Sequence, residues 1–141
     1  MSENTPSIPV RAKTSDAEKI TINLGYVDLG QIDLLVSEGF YSNRTDFIRT
    51  AIRNHLATHG DTLKQVVARK MLVLGLQQFS AADLEAVRAA GETLQVRVLG
   101  LATLGHDVTP ELALATIESI TVLGALHASG PVKAALAGRI H

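Results

Sequence analysis

Few residues in this chain are equipped to do chemistry, and those that are fall into three groups. Lys19, Thr21 and Asn23 stand at alternate positions and supply an ammonium, a hydroxyl and a carboxamide. Alternation places all three on one side of an extended segment, so they form a single row of hydrogen-bonding groups. Asn43, Arg44 and Thr45 precede a helical pattern. The free N–H groups and the dipole of a helix start make that position an anion site. The third group is histidine: His55 and His59 one helical turn apart, His106 beside Asp107 in a loop, and His127 in an apolar run. A metal site wants more ligands at defined spacing. A loop histidine is ordinarily solvated, and one near a helix C-terminus is explained by the dipole. No metal and no cofactor are therefore expected. The chain holds no P-loop, no G-x-G-x-x-G, no G-x-S-x-G and no H-E-x-x-H. Ser129-Gly130 reads as a turn. No enzyme is expected.

Composition narrows the class further. The 141 residues contain no cysteine, which excludes a disulfide scaffold, a thiolate zinc site and a thiol nucleophile. Hydrophobic residues make up 46 % and aromatic ones 4 %, so the core must be built from Leu, Ile, Val and Ala. The apolar runs at 71–76 and 120–128 are far shorter than the ~20 residues a spanning helix requires. The first residues lack a basic and an apolar signal region, so a cytoplasmic protein with no membrane partner is the expectation. With 13 basic and 14 acidic residues, the net charge is -1. Neither half of the chain is strongly basic, so binding to nucleic acid would depend on a few placed residues, not on bulk charge.

Residues 1–17 carry no period and read as a flexible N-terminal arm. Lys19-Ile20-Thr21-Ile22-Asn23-Leu24 then alternates without a fault, which predicts a half-buried strand with Ile20, Ile22 and Leu24 inward. Leu29, Ile32, Leu35 and Val36 recur at helical spacing, and Gly39 follows where a left-handed C′ residue belongs. Gly30 lies inside that helix with no local reason. Asn43 is a good N-cap, Asp46 completes a capping-box-like start, and Phe47, Ile48, Ala51, Ile52 and Leu56 give the second helix its apolar face up to Gly60. Residues 18–59 thus read strand–helix–helix. A lone strand cannot satisfy its own backbone groups, and the economical partner is the same strand of another copy across a two-fold axis.

The segments KITINL and QIDLLVSEGFYSNRTDFIRTAIRNHL resemble the ribbon-helix-helix DNA-binding family of the Arc/MetJ/CopG type, over about a third of the chain. The sequence departs from that pattern at Gly25-Tyr26, where many relatives have Pro or a Ser/Glu pair. The resemblance implies an intertwined homodimer whose core holds Ile20, Ile22, Leu24, Ile32, Leu35, Phe47, Ile48 and Ile52. It implies a two-stranded ribbon in the major groove of double-stranded DNA, with Lys19, Thr21 and Asn23 at the base edges. Their chemistry suits that role: Lys donates to guanine, Asn bonds adenine twice, and Thr bonds either base or meets the thymine methyl. It also implies that the backbone amides of Asn43, Arg44 and Thr45 hold a phosphate. Arg49 and Arg53 read as solvated or dimer-supporting. Lys19, Arg44 and the arm residues Arg11 and Lys13 supply few cations, so a single dimer should bind weakly.

Residues 60–141 carry a repeat. Val73-Leu74-Gly75-Leu76, Val98-Leu99-Gly100-Leu101 and Val122-Leu123-Gly124-Ala125 place their glycines 25 and 24 residues apart. Each is followed by a helix start: Ser80 before 81–90, Thr109-Pro110 before 112–119, and Gly130-Pro131 before 132–138. Three strand–helix units predict a β/α domain, either a short solenoid or a small parallel sheet, acting in oligomerisation or partner binding. The fold class is α/β overall, a ribbon-helix-helix followed by a β/α repeat-like domain. The function expected is a sequence-specific transcriptional regulator, a repressor in the simplest case. The alternatives are an antitoxin with autoregulatory DNA binding and a self-assembling structural protein.

Overall fold

The computed structural model describes residues 17–141, which form two compact units, one ending at Gly60 and one spanning Asp61–His141. The arm residues Arg11 and Lys13 lie outside the described residues.

The first unit is a helical hairpin. Helix α1 (Tyr26–Ser37) starts directly after Gly25, which caps it without a side-chain hydrogen bond. This is where the sequence departs from the ribbon-helix-helix pattern it resembles. Gly39 ends the helix at φ +88, with its N–H on the Val36 carbonyl and the Phe40 N–H on that of Leu35. That is the paired bonding of a Schellman stop, and only glycine adopts it without steric cost. Helix α2 (Arg44–Thr58) is capped by Asn43, whose side-chain oxygen accepts the Asp46 N–H at 2.8 Å. The Asp46 carboxylate accepts from the Ser42 N–H, one residue earlier than a strict capping box requires. The Tyr41 ring meets Phe47 edge to face at 5.0 Å and fixes the turn between the helices.

Residues 17–25 carry no strand within the single chain, where no other segment of this unit offers them a ladder of hydrogen bonds. One expectation needs correction here: Gly60 does not close the helical region. It opens helix α3 (Gly60–Arg69), since glycine at a first turn interrupts nothing and no proline follows. Helix α3 ends on Met71, at φ 55, with the Leu72 N–H on the Val67 carbonyl.

The second unit then repeats strand and helix three times: β1 (Val73–Phe79), α4 (Ala81–Ala89), β2 (Leu94–Leu104), α5 (Pro110–Thr116), β3 (Ile117–His127) and α6 (Gly130–Ala135), with a last 3-10 turn at Ala137–Arg139. The strands lie in sequence order in one parallel sheet. A small parallel sheet and a repeat layout are therefore the same object here. Ser80, Thr109 and Ser129 cap the three helices, each accepting the N–H of the residue three further on. Helix α4 has a full capping box with Asp83. Helix α5 stops at Thr116, not near 119, and β3 follows with no loop. Arg139 makes that junction possible: its guanidinium donates to the carbonyls of Leu114 and Ile117 at 2.7 and 2.8 Å, which the shortened helix leaves free.

The core of this unit lies between the sheet and its helices. Val96, Val98, Ala102 and Leu104 of β2 alternate inward and meet Leu84, Leu112, Ala113, Val132 and Leu136. No aromatic residue is among its buried members.

The repeat glycines stand side by side, Gly75 opposite Gly100 and Gly100 opposite Gly124. All three have positive φ, +126, +143 and +120. A Cβ on Gly100 would lie 2.1 Å from the Gly75 carbonyl oxygen, and one on Gly124 2.1 Å from that of Gly100. The spacing of 25 and 24 is thus the length of chain that returns each strand to the same register, where a Cβ on Gly100 or Gly124 has no room.

Candidate functional site

The first unit is nearly without a core of its own. Ile32 is the sole buried residue among its described members. In place of a core there is an open apolar groove of about 370 Å³, lined by Ile22, Leu24, Ile32, Leu35, Phe47, Ile48 and Ile52, together with Ala51, Asp28 and Gln31. Seven of the eight residues assigned to a dimer core thus share one surface. Ile20 lies apart from them and is 73 % exposed, and Ile22 remains 62 % exposed despite lining the groove. So little buried apolar surface cannot offset the conformational entropy of ordering forty residues. The groove therefore needs an occupant.

Lys19, Thr21 and Asn23 are all exposed. Asn43, Arg44 and Thr45 are also exposed and sit at the start of α2. None of the described residues accepts from the N–H groups of Arg44 and Thr45, the first helical bond being Phe47 N–H to the Asn43 carbonyl. Two amides and the positive end of the dipole thus face solvent together.

The Arg44 side chain is engaged elsewhere. It makes a two-pronged ion pair with Asp33 of α1, Nε and the terminal nitrogen each 2.8 Å from a carboxylate oxygen. This corrects the expectation that Arg44 adds a free cation. Its charge is matched, and its role is to tie α2 to α1. Arg49 and Arg53 are exposed on α2 and take part in none of the ion pairs seen among the described residues. They are the more available cations, and their helical spacing was the sequence signal for them.

The Arg44 guanidinium, chiefly by its hydrogen bonds, holds the Asp33 carboxyl below its ordinary value, and Asp33 in turn raises Arg44. The sign follows from linkage. A carboxyl whose folded pKa is depressed stabilises the fold above its unfolded value of ~3.9, and the contribution is lost as pH falls through the lower folded value. In Arg44→Gln the Asp33 titration, followed by NMR, is expected to move up to the ordinary carboxylate range. Because the pair is exposed, the stability change should be small at neutral pH and vanish in strong acid. An Asp33 titration that does not move in the variant would show that the pair is not formed in solution.

The remaining candidates separate from this surface. His55 and His59 stack edge to face, ring centres 5.2 Å apart. No group of three metal-ligating side chains occurs among the described residues. Asp107 of the His106-Asp107 pair accepts the Ala81 N–H and so ties the loop after β2 to the start of α4. Nothing in the sequence signalled this bond, which spans 26 positions. His127 ends β3. No helix among the described residues is long and apolar enough to cross a membrane.

The profile of the ribbon-helix-helix transcriptional regulator family matches residues 15–133. It spans both units, well beyond the forty residues that carry the sequence resemblance. No curated protein and no solved structure matches the chain.

Proposed function

Because the chain belongs to the ribbon-helix-helix transcriptional regulator family, a family of DNA-binding regulators, we propose that it is a dimeric, sequence-specific repressor that reads the major groove with a two-stranded ribbon. The observation that carries the proposal is the open groove in a unit with one buried side chain. A second copy fills it. Residues 19–24 of the two chains pair antiparallel, which satisfies their backbone groups and turns Ile20, Ile22 and Leu24 inward. The same pairing brings Lys19, Thr21 and Asn23 of both copies onto one outward face. A two-stranded ribbon fits the major groove, where the full donor and acceptor code is displayed. The exposed amides of Arg44 and Thr45 supply a phosphate contact that sets register without reading sequence. The proposal places the protein in the cytoplasm and assigns it no reaction.

Operator preference tests this reading. In a binding selection from random duplexes, Lys19→Ala or Asn23→Ala is expected to relax the preference at one base position in each half-site, a loss of ~1–3 kcal/mol there. Affinity for other positions should hold. A preference profile identical to that of the parent protein would remove the ribbon as the reader.

One observation favours a wider role in assembly for the second unit: one face of its sheet is uncovered.

A further inference from the structure

In the parallel register, Leu74, Leu99 and Leu123 form one row across the three strands, and Leu76, Leu101 and Ala125 form the next. These rows face away from the core, since the intervening positions, Val98 and Ala102 among them, are the buried ones. Leu74 is 71 % exposed, Leu76 55 % and Leu123 53 %. The rows beyond are polar: Arg97 beside Thr121 at one end, and Gln78, Thr103 and His127 at the other. Parallel sheets are ordinarily covered on both faces. This one has an apolar centre between polar ends, the layout of a small interface.

We propose that this leucine face packs against the same face of a second copy within the dimer formed by the first unit. The inference rests on the proposed dimer, and three observations favour a second copy as the occupant. The two leucine rows carry no charge, so the surface does not repel its own image. The surface is also small. Three strands ~4.8 Å apart and about five residues long present on the order of 250 Å². That is well short of the ~800 Å² per partner of an independent complex, so a free partner would be held poorly. A copy already tethered through the first unit meets the face at high effective concentration and needs no such area. Finally, the face is flat and aliphatic with polar ends, which suits sheet-on-sheet packing at ~10 Å.

The chain has no cysteine, so one introduced thiol reports one position. Full-length Leu99→Cys, treated in dilute solution with a thiol-to-thiol bismaleimide long enough to bridge sheets ~10 Å apart, is expected to give a cross-linked dimer in a yield independent of protein concentration. Glu85→Cys on α4 should not. Leu74→Gln with Leu123→Gln, both at exposed positions and so harmless to the folded chain, should weaken the dimer at least tenfold in sedimentation equilibrium. A Leu99→Cys protein that is dimeric and binds DNA but does not cross-link overturns the inference. So does a yield that rises with concentration, which would place the face between dimers, and so does an unweakened dimer in the double variant. Failure of the underlying dimer reading looks different: the parent chain is then a monomer that retains no DNA.

Discussion

Gly100→Ala is expected to unfold the second unit, whereas Gly75→Ala should only weaken it. Both glycines have positive φ, +143 and +126, so either alanine carries the strain of a sparsely populated backbone region, ~1–3 kcal/mol. They differ in what a methyl group would meet. At Gly75 there is nothing within 4 Å, whereas at Gly100 the Gly75 carbonyl oxygen is 2.1 Å away and its carbon 3.0 Å. Those are backbone atoms of a hydrogen-bonded neighbour, so relief requires β1 to leave β2. The β1 pairing and the strain together exceed the ~4–5 kcal/mol that marks an exceptional substitution. A unit of about eighty residues has a total stability of roughly 4–12 kcal/mol. Urea denaturation of the full chain, followed by circular dichroism, separates the two variants. A loss at Gly100→Ala no larger than at Gly75→Ala would show that the strands do not pack in this register. Gly124→Ala should resemble Gly100→Ala, because its methyl group would meet the Gly100 carbonyl at the same 2.1 Å.

The glycine case shows what a sequence displays and what it withholds. The repeat of V-L-G was visible, and with it three strand–helix units and their Ser80, Thr109-Pro110 and Gly130-Pro131 starts, though Ser129, read as part of a turn, is the residue that caps the last. Register was not visible, because it depends on how many residues each crossover consumes. Only register makes the glycines neighbours. The early end of α5 was hidden for a similar reason: the group that satisfies its last carbonyls is Arg139, more than twenty residues away. Local signals were reliable where the physics is local. Gly39 as a left-handed stop and Asn43 as a cap were both legible. Gly60 misled because a glycine after an apolar stripe can end one helix or begin the next, and α3 takes the second course.

At the candidate site the apolar positions were legible and the charges were not. Ile22, Leu24, Ile32, Leu35, Phe47, Ile48 and Ile52 were grouped by alternation and helical period, and they line one groove. The Asp33–Arg44 pair joins residues 11 apart across a turn, beyond any helical spacing, so Arg44 read as a free cation. Its neutralisation lowers the charge the proposed dimer would offer to DNA, so a single dimer should bind more weakly still. Gly30 has no reason in the single chain, since nothing lies within 4 Å of where its Cβ would be.

Ile22→Glu is expected to abolish the dimer and DNA binding together, leaving the second unit folded and the first without the occupant its groove needs. Ile22 is 62 % exposed in one chain, so a carboxylate there costs the isolated chain almost nothing. In the paired ribbon the same position is enclosed, and the two-fold axis delivers two carboxylates, one from each copy. Each buried, unpaired ion costs several kcal/mol even after relaxation. Two of them weaken association by on the order of 10³-fold or more, at ~1.4 kcal/mol for each factor of ten. The companion variant is Thr21→Glu, one residue away and facing outward in the alternation. It should keep the dimer, because its carboxylate stays in water, and lose DNA through repulsion from phosphate. Sedimentation equilibrium and a gel-shift assay at fixed salt read the two properties separately. The pattern expected is dimer lost and DNA lost for Ile22→Glu, and dimer kept and DNA lost for Thr21→Glu. An Ile22→Glu dimer of parental affinity would mean that residues 19–24 do not pair across the two-fold axis. Thr21→Glu binding DNA as well as the parent would mean that the outward row does not meet the duplex.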